Sequence, residues 1–127
     1  IDAIKGKIDT GARTSSIHTW FIEPFVKDGL EMVRFGVHPL QDRKDISLIC
    51  TTEIFDRRRI TNSGGYREWR YIIQTPITFH NSTWLVEMTL AKRDTMKYRL
   101  LIGRTAIIHR FLVDPSRNYS GGKIVKL

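Results

Sequence analysis

Residues 4–12, Ile-Lys-Gly-Lys-Ile-Asp-Thr-Gly-Ala, join a strand-like alternation to an acidic turn. Ile4 and Ile8 alternate with lysines, which predicts a half-buried strand. That strand ends on Asp9, and residues 14–16 downstream are all hydroxylated. Small and hydroxylated residues let backbone approach closely and offer donors to a carboxylate. The stretch therefore predicts a positioned acid at a strand end, although an ordinary strand-ending turn has a similar composition.

The length of 127 residues fits one domain, and no Pro-rich or low-complexity linker divides the chain. We therefore expect a single domain over residues 1–127. The sequence opens at Ile1 and not at a methionine, which is compatible with missing N-terminal residues of a longer protein. Its apolar runs are far shorter than the roughly 20 residues of a membrane-spanning helix, so no membrane span is expected.

Cys50 is the only cysteine, so no disulfide can form within the chain. This slightly favours a reducing compartment such as the cytoplasm, and the sequence otherwise leaves the location open. A nucleophilic role is one interpretation of Cys50. A lone cysteine inside the apolar run 46–50 is more often a small buried hydrophobe.

Basic residues exceed acidic ones by 21 to 13, which gives a net charge of +8. Such a field attracts acidic peptides, nucleic acids or anionic surfaces, although solvated basic faces without a partner have the same composition. The excess lies in two groups, Arg57, Arg58, Arg59, Arg67 and Arg70, and Lys92, Arg93, Lys97, Arg99 and Arg104.

Strand patterns dominate the chain and predict two hairpins. Residues 21–26 and 30–37 flank Lys27-Asp28-Gly29, where the glycine can take a positive φ. A second pair of apolar alternations, 69–73 and 84–90, flanks the turn residues His80-Asn81-Ser82.

Helical pattern is confined to residues 104–110, after which residues 111–113 resume an extended pattern. Many short strands with regular turns are typical of a closed β-barrel or a sandwich.

Three motifs, in this order, resemble the retropepsin aspartic proteases. The first is the Asp9-Thr10-Gly11 run, the second is the Gly-rich turn at residues 60–66, which resembles a flap, and the third is Leu101-Ile102-Gly103-Arg104. The resemblance implies a mainly β acid-protease barrel with one short C-terminal helix, active as a homodimer.

Longer segments are similar to a bacterial and archaeal retropepsin-like family named ATP-dependent zinc proteases. That resemblance covers nearly the whole chain. The stretch from Asp9 to Gly103 is longer than in retroviral enzymes, and the extra length falls around Gly29 to Asp56. The matching residues are 7–16, 63–65 with Arg70, Thr89-Leu90 with Arg93 and Met96, 101–104 and 111–115.

The sequence supports neither the zinc nor the ATP of that family name. There is no cysteine pair and no Gly-rich loop ending in Gly-Lys-Ser or Gly-Lys-Thr, so we expect no metal and no cofactor. Zinc ligands converging from distant segments stay open. The histidines, too scattered for a local zinc motif, are His18, His38, His80 and His109.

Catalytic roles follow from the resemblance. Asp9 is expected to supply one of two carboxylates, and since the Asp-Thr-Gly run occurs once, an identical subunit should supply the other. Thr10 is expected to brace the two loops, and Gly11 to allow close backbone approach. Asp94 or Asp114 as a second acid within one chain is the alternative.

Binding and supporting roles follow in the same way. Ala12 and the flap tip Ser63-Gly64-Gly65 are expected to contact substrate, which is a peptide or protein. Gly103 is expected to pack behind the catalytic loop, and Arg104 to support it through an ion pair.

Arg67, Arg70 and Arg93 could bind acidic side chains or a terminal carboxylate, because guanidinium groups match carboxylates bidentately. Ordinary salt bridges are the alternative. Members of the resembled family are often associated with ATP-grasp ligases that add glutamate, so the resemblance implies a glutamate-rich or acidic peptide substrate.

A different class of function is a non-catalytic basic β-barrel that binds nucleic acid or an acidic protein, with residues 57–59 and Trp69 near the contact. The chain carries no recognised nucleic-acid-binding motif, so nucleic acid is the less favoured partner. A metal-binding protein ranks last because of the histidine spacing.

Overall fold

A computed structural model describes residues 4, 6–9, 11–39, 45–61, 64–79, 81–92 and 98–107. The elements within these ranges are β1 (Gly6–Asp9), β2 (Ser15–Thr19), β3 (Phe21–Lys27), β4 (Leu30–Val37), β5 (Leu48–Glu53), β6 (Asp56–Thr61), β7 (Arg67–Phe79), β8 (Ser82–Lys92), β9 (Leu100–Gly103) and α1 (Arg104–Ile107). The prediction of a mainly β chain is confirmed.

The strands form a six-stranded sheet in the order β1-β9-β2-β8-β7-β6 and a three-stranded sheet in the order β3-β4-β5. In the larger sheet β1 is parallel to β9 and β2 is parallel to β8, while the other neighbours are antiparallel. Since β1 and β6 are the two ends of this order, the sheet is open within the described ranges. The predicted closure of the barrel is therefore not shown there. Apolar alternation in a sequence predicts which face of a strand is buried, but it does not predict whether the two edges of a sheet join.

The β7–β8 hairpin is confirmed and supplies much of the core. Ile73 lies opposite Met88, and Ile77 lies opposite Trp84, and all four side chains are buried. Each such side chain contributes roughly 1.5–3 kcal/mol on burial. Of the predicted turn residues, His80 falls outside the described residues.

The β3–β4 hairpin is confirmed as well, and its turn has positive φ at two residues. Asp28 has φ 53° and Gly29 has φ 78°. Positive φ at both central positions is the geometry whose twist matches that of the flanking strands, and Asp-Gly is a favoured pair for it.

Residues 29–56, for which the sequence pattern is least decisive, build most of the three-stranded sheet. Here β4 pairs with β3 on one side and with β5 on the other. Val33, Phe35 and Val37 of β4 alternate onto one face and are buried in the core. This additional sheet accounts for the length that separates the acidic turn from the hairpin β6–β7.

Strand β1 forms as predicted, but its apolar residues have different surroundings. Ile4 is buried, whereas Ile8 is 37% exposed. Ile8 lies opposite Ile102 of β9. Its own strand, β1, is the end strand of the described sheet. An apolar side chain is thus left at the surface directly before Asp9.

The predicted helix begins at Arg104 and extends at least to Ile107, and residues 108–110 lie outside the described ranges. Trp84 Nε1 donates a hydrogen bond to the carbonyl oxygen of Ala106 at 2.7 Å, which attaches the helix to β8. In the described part of the chain, no helix is long and apolar enough to cross a membrane.

Cys50 lies opposite Phe35 and packs partly buried against the core. Burial raises the pKa of its thiol. A raised pKa lowers the thiolate fraction at any given pH, and the thiolate is the reactive form.

We expect Cys50 to react with a disulfide reagent at about pH 8 at least several-fold more slowly in the native protein than after unfolding. The pH profile of the reaction rate measures this. Faster reaction in the native state would indicate an activated nucleophile instead.

Candidate active site

Asp9 is the last residue of β1 and is half-buried. The Gly11 N–H donates to the carboxylate oxygen Oδ1 of Asp9 at 3.1 Å. The Ala12 N–H donates to the Asp9 carbonyl oxygen at 3.1 Å. These two bonds close a tight turn, and the backbone N–H of Gly11 is the donor to the Asp9 carboxylate in the described part of the turn.

Glycine at position 11 leaves room for the Asp9 carboxylate in this turn. A Cβ there would lie 3.2 Å from Asp9 Oδ1, which is tighter than ordinary van der Waals contact. Gly11 thus brings its N–H to the carboxylate without placing carbon against it.

The start of α1 holds the loop that follows Asp9. The N–H groups of Arg104 and Thr105 donate to the carbonyl oxygens of Ala12 and Arg13 at 2.9 and 3.1 Å, and Thr105 Oγ1 also donates to Arg13 O at 2.6 Å. The first N–H groups of a helix have no partner within the helix, so the loop carbonyls satisfy them. No sequence pattern marked Thr105 for this role.

Arg104 contacts the loop through its side chain too. Its Nη1 donates to the Gly11 carbonyl oxygen at 3.4 Å. The expected ion pair of Arg104 stays a prediction. The hydrogen bond to the Gly11 carbonyl oxygen connects Arg104 directly to the Asp9 turn.

Gly103 lies directly against the backbone of the loop. A Cβ at this position would lie 2.6 Å from the Thr14 carbonyl carbon and 2.8 Å from the Ser15 nitrogen. The Gly103 N–H donates to Ser15 Oγ at 3.0 Å, and Ser15 is fully buried. Ser15 therefore holds β9 in place and does not orient the Asp9 carboxylate.

The flap-like segment is the turn of the β6–β7 hairpin. Gly64 and Gly65 are exposed in this turn, and Gly65 has φ 85°. Ser63 lies outside the described residues. The strand order places β6 and β1 at opposite ends of the sheet, so no strand pairing joins the hairpin to the Asp9 turn.

The three consecutive arginines of β6 divide between the two faces of the hairpin. Arg58 forms ion pairs with Asp56 at 2.8 Å and with Glu87 at 2.9 Å. Arg58 donates to Asp56 and so lowers the pKa of that carboxyl. Glu87 first, and then Asp56, raise the pKa of Arg58 itself. Arg58 is therefore neutralised by neighbouring acids.

Arg57 and Arg59 lie on the opposite face, together with aromatic residues. Arg57 lies over the Tyr71 ring at 5.2 Å, and Arg59 lies over the Trp69 ring at 5.9 Å. A groove of about 400 Å³ lies beside this face. It is lined by Arg57, Trp69 and Tyr71, and also by Arg70. The sequence predicted the arginines near a contact surface but did not predict Tyr71 there. The signal that could have found Tyr71 is the two-residue alternation along β6 and β7, which places it on the same face as Arg57.

The arginines predicted to contact substrate have different surroundings. Arg70 Nε donates to Glu68 Oε1 at 2.8 Å. Arg70 therefore forms an ordinary salt bridge, which was the alternative to substrate binding. Arg67 is exposed opposite Thr61. Several predicted residues lie outside the described ranges, namely Thr10, Ser63, Arg93, Asp94, Met96 and Asp114.

Within the described ranges, no three His, Cys, Asp or Glu side chains approach closely enough to hold a metal ion. His38 Nδ1 is 3.1 Å from the Ile46 carbonyl oxygen, and its ring stacks on Trp20 with centroids 5.8 Å apart. His80 and His109 lie outside the described residues.

A family model described as RimB-like, "Retropepsin-like aspartic endopeptidase RimB", matches residues 1–123 of this chain. The matched residues include the Asp9 turn and the Gly103 segment that packs on it.

Curated relatives of the chain carry the name "Probable alpha-L-glutamate ligase". The chain is 45% identical over 123 residues to the one from Shewanella pealeana and 41% identical over 126 residues to the one from Desulfotalea psychrophila. These alignments cover 97% and 99% of this chain but 27% of each relative. The chain thus spans about a quarter of the length of the curated relatives it matches.

A crystal structure of a Legionella pneumophila protein of unknown function has a similar fold. The two superpose with a TM-score of 0.75 at 25% identity, covering 94% of this chain and 92% of the other.

Proposed function

Since this chain belongs to the RimB-like family of retropepsin-like aspartic endopeptidases, we propose that it hydrolyses peptide bonds with a water molecule activated by Asp9. The observation that carries this proposal is the Asp9 turn, in which the Gly11 N–H holds the carboxylate at 3.1 Å. A fixed carboxylate at a strand end is what a general base needs, because proton transfer depends first on geometry.

The reaction requires two carboxyl groups that share one proton. The ionised carboxylate takes a proton from water as the water oxygen bonds to the scissile carbonyl carbon. The protonated carboxyl donates a hydrogen bond to the carbonyl oxygen and then transfers its proton to it, so that this oxygen becomes the second hydroxyl of a tetrahedral diol. When the carbon–nitrogen bond breaks, the proton taken from water passes from the first carboxyl to the leaving nitrogen. One diol hydroxyl returns its proton to the second carboxylate as the new carboxyl group forms.

The second carboxyl group in this proposal is Asp9 of an identical subunit across a two-fold axis. Two carboxylates close enough to share a proton cannot both be ionised without a large electrostatic cost. The pair would therefore titrate as one coupled unit. The exposed side chain of Ile8, directly before Asp9, supports an apolar contact that the second subunit would cover. Thr10 would brace the two loops, as the resemblance implies.

Substrate would lie between the Asp9 pair and the β6–β7 hairpin. The exposed Gly64 and Gly65 give the hairpin turn the backbone freedom that an opening and closing flap requires. In this arrangement Ala12 and Ser63 would contact the peptide backbone.

We assign the substrate to acidic, glutamate-rich peptides. The net charge of +8 favours an acidic partner. Relatives that match this chain over 27% of their length are named "Probable alpha-L-glutamate ligase", and glutamate in that name supports a glutamate-rich substrate.

A second candidate function is a non-catalytic module that binds single-stranded nucleic acid. It is favoured by the exposed Trp69 beside Arg59, because aromatic rings between cations stack bases. Such binding weakens steeply as salt is added, so absence of oligonucleotide binding at low salt counts against it.

A shared active site makes activity depend on protein concentration. We expect the cleavage rate per chain to fall when the protein is diluted below the dimer dissociation constant, because monomers contain one carboxyl group of the pair. Initial rates on a glutamate-rich peptide over a roughly 100-fold dilution range, compared with the dimer fraction from sedimentation, measure this. A constant rate per chain where sedimentation detects monomers would contradict the shared site.

A further inference from the structure

The β6–β7 hairpin separates its charges between two faces. Residues directly opposite each other share a face, and the pairs Arg57 with Tyr71 and Arg59 with Trp69 alternate with the pair Arg58 with Arg70. The face with Arg58 and Arg70 also carries their acidic partners. We call the other face, formed by Arg57, Arg59, Trp69 and Tyr71, the cationic face of the hairpin.

The charges on the cationic face are poorly compensated. Arg57 reaches Glu31 at 3.8 Å, with side chains 55% and 67% exposed, and an ion pair this exposed is weak. In the part of the chain that the structure describes, Arg59 has no carboxylate within ion-pair distance. Two guanidinium groups on this face therefore have donors available to a ligand.

The two aromatic rings lie within cation–π distance of these guanidinium groups. Each arginine lies over a ring, at 5.2 Å for Tyr71 and 5.9 Å for Trp69. A guanidinium that faces a ring keeps its N–H donors at the edge of its plane, where they match the two oxygens of a carboxylate. Trp69 itself is 69% exposed and offers apolar surface to the stem of an acidic side chain.

The spacing of the two arginines matches an extended peptide. Residues two apart on a strand lie roughly 6.6–6.8 Å from each other on the same face. An extended peptide presents its side chains i and i+2 at the same interval. In addition, β6 ends the strand order of the sheet among the residues that the structure describes, and its outer edge can align such a peptide through backbone hydrogen bonds.

We propose that the cationic face of the hairpin binds an extended acidic peptide, with carboxylates at positions i and i+2 on Arg57 and Arg59. The occupant is a peptide because the charge spacing follows a strand. Beside the cationic face lies a groove of about 400 Å³, lined by Arg57, Trp69 and Tyr71 of this face and by Arg70 of the other, which offers room for a side chain. The role of this face as a substrate subsite rests on the proposed peptidase function, whereas the binding itself does not.

The test uses the full chain with the substitution Asp9→Asn, so that binding is measured without cleavage. The probe is a fluorescent peptide with glutamate at alternate positions separated by serine, compared with a peptide of the same composition whose glutamates are adjacent in pairs. We expect Arg57→Gln with Arg59→Gln to weaken binding of the alternating peptide about tenfold or more at roughly 0.15 M salt. The adjacent-pair peptide should bind more weakly to the unsubstituted face.

A matched control removes the same charge elsewhere. Lys27→Gln with Arg34→Gln takes two positive charges from the three-stranded sheet, where Arg34 is paired with Glu23 at 2.9 Å. We expect this control to bind the alternating peptide nearly as the parent does. Equal weakening by both double variants would show a general charge effect and overturn the site. Unchanged binding by the Arg57 and Arg59 variant would also overturn it, as would a single-stranded oligonucleotide that binds this face more tightly than the peptide.

Cleavage by the chain with Asp9 intact distinguishes the two proposals. The Arg57 and Arg59 variant should raise KM for acidic peptides about tenfold with little change in kcat, as expected for lost substrate binding remote from the reacting bond. If no peptide is cleaved but the binding difference holds, the proposed function fails and this site stands. If cleavage occurs without the KM difference, the site is excluded as a substrate subsite.

Discussion

Replacing Asp9 by asparagine is expected to abolish peptide hydrolysis, with a loss of roughly 10³-fold or more, while the chain still folds. The amide cannot accept a proton from the attacking water. Its oxygen can still accept the Gly11 N–H at the position of Asp9 Oδ1, so the turn should keep its shape. Steady-state cleavage of a glutamate-rich peptide, together with an unfolding curve, measures both effects.

Asp28→Asn is the control for that experiment. Asp28 occupies a positive φ of 53° in the β3–β4 turn, a region that asparagine also tolerates. It removes the same charge with little strain and should leave cleavage unchanged. Cleavage undiminished in the Asp9 variant would sink the proposed function.

Mixing the Asp9 variant with the unsubstituted chain tests where the second acid resides. In an equal mixture, random pairing leaves roughly a quarter of the dimers with two aspartates. If each site needs both, activity per unsubstituted chain should fall to roughly half. No loss per unsubstituted chain would instead indicate a second acid in the same chain, such as Asp94 or Asp114.

Gly103→Ala is expected to lower the free energy of unfolding by about 2–3 kcal/mol. The added Cβ would lie 2.6 Å from the Thr14 carbonyl carbon and 2.8 Å from the Ser15 nitrogen. These are backbone atoms, so the β9 strand or the loop must move. Chemical denaturation of both proteins gives the difference in free energy of unfolding.

Gly6→Ala is the matched control on the neighbouring strand. Its Cβ would meet mainly the end of the Leu100 side chain, at 3.1 Å, and a side chain can shift. We expect a loss below about 1 kcal/mol. Similar losses for the two variants would show that the close approach at Gly103 is not what holds the loop.

The Gly103 variant should also impair cleavage beyond its effect on folding. The carbonyls of Ala12 and Arg13 accept bonds from the two residues directly after Gly103, so movement of β9 would displace the Asp9 turn. A displacement near 1 Å can cost about 100-fold in rate. Measurement at a temperature where the variant is fully folded separates this loss from unfolding.

The sequence was sufficient where structure depends on neighbouring residues. Alternating apolar residues predicted both hairpins, and Asp28-Gly29 predicted the turn of the first, because strand period and turn chemistry are local properties. The same alternation placed Asp9 at a strand end. It did not predict the three-stranded sheet β3-β4-β5, in which the pairing of β4 with β5 joins strands about ten residues apart in the sequence.

By itself, the sequence determined that this chain is mainly β, that its first strand ends on an acid, and that glycines stand at positions 11 and 103. The tertiary structure alone decided what those residues contact: the parallel pairing of β1 with β9 places Gly103 opposite Asp9, and the register of β6 with β7 places Arg57 and Arg59 beside aromatic rings. The physical reason is that pairing between distant strands is set by the packing of the whole sheet. Residues 9 and 103 carry no local signal of their proximity. The family resemblance implied that Gly103 packs behind the Asp9 loop, and the strand pairing of the folded chain brings the two residues opposite each other.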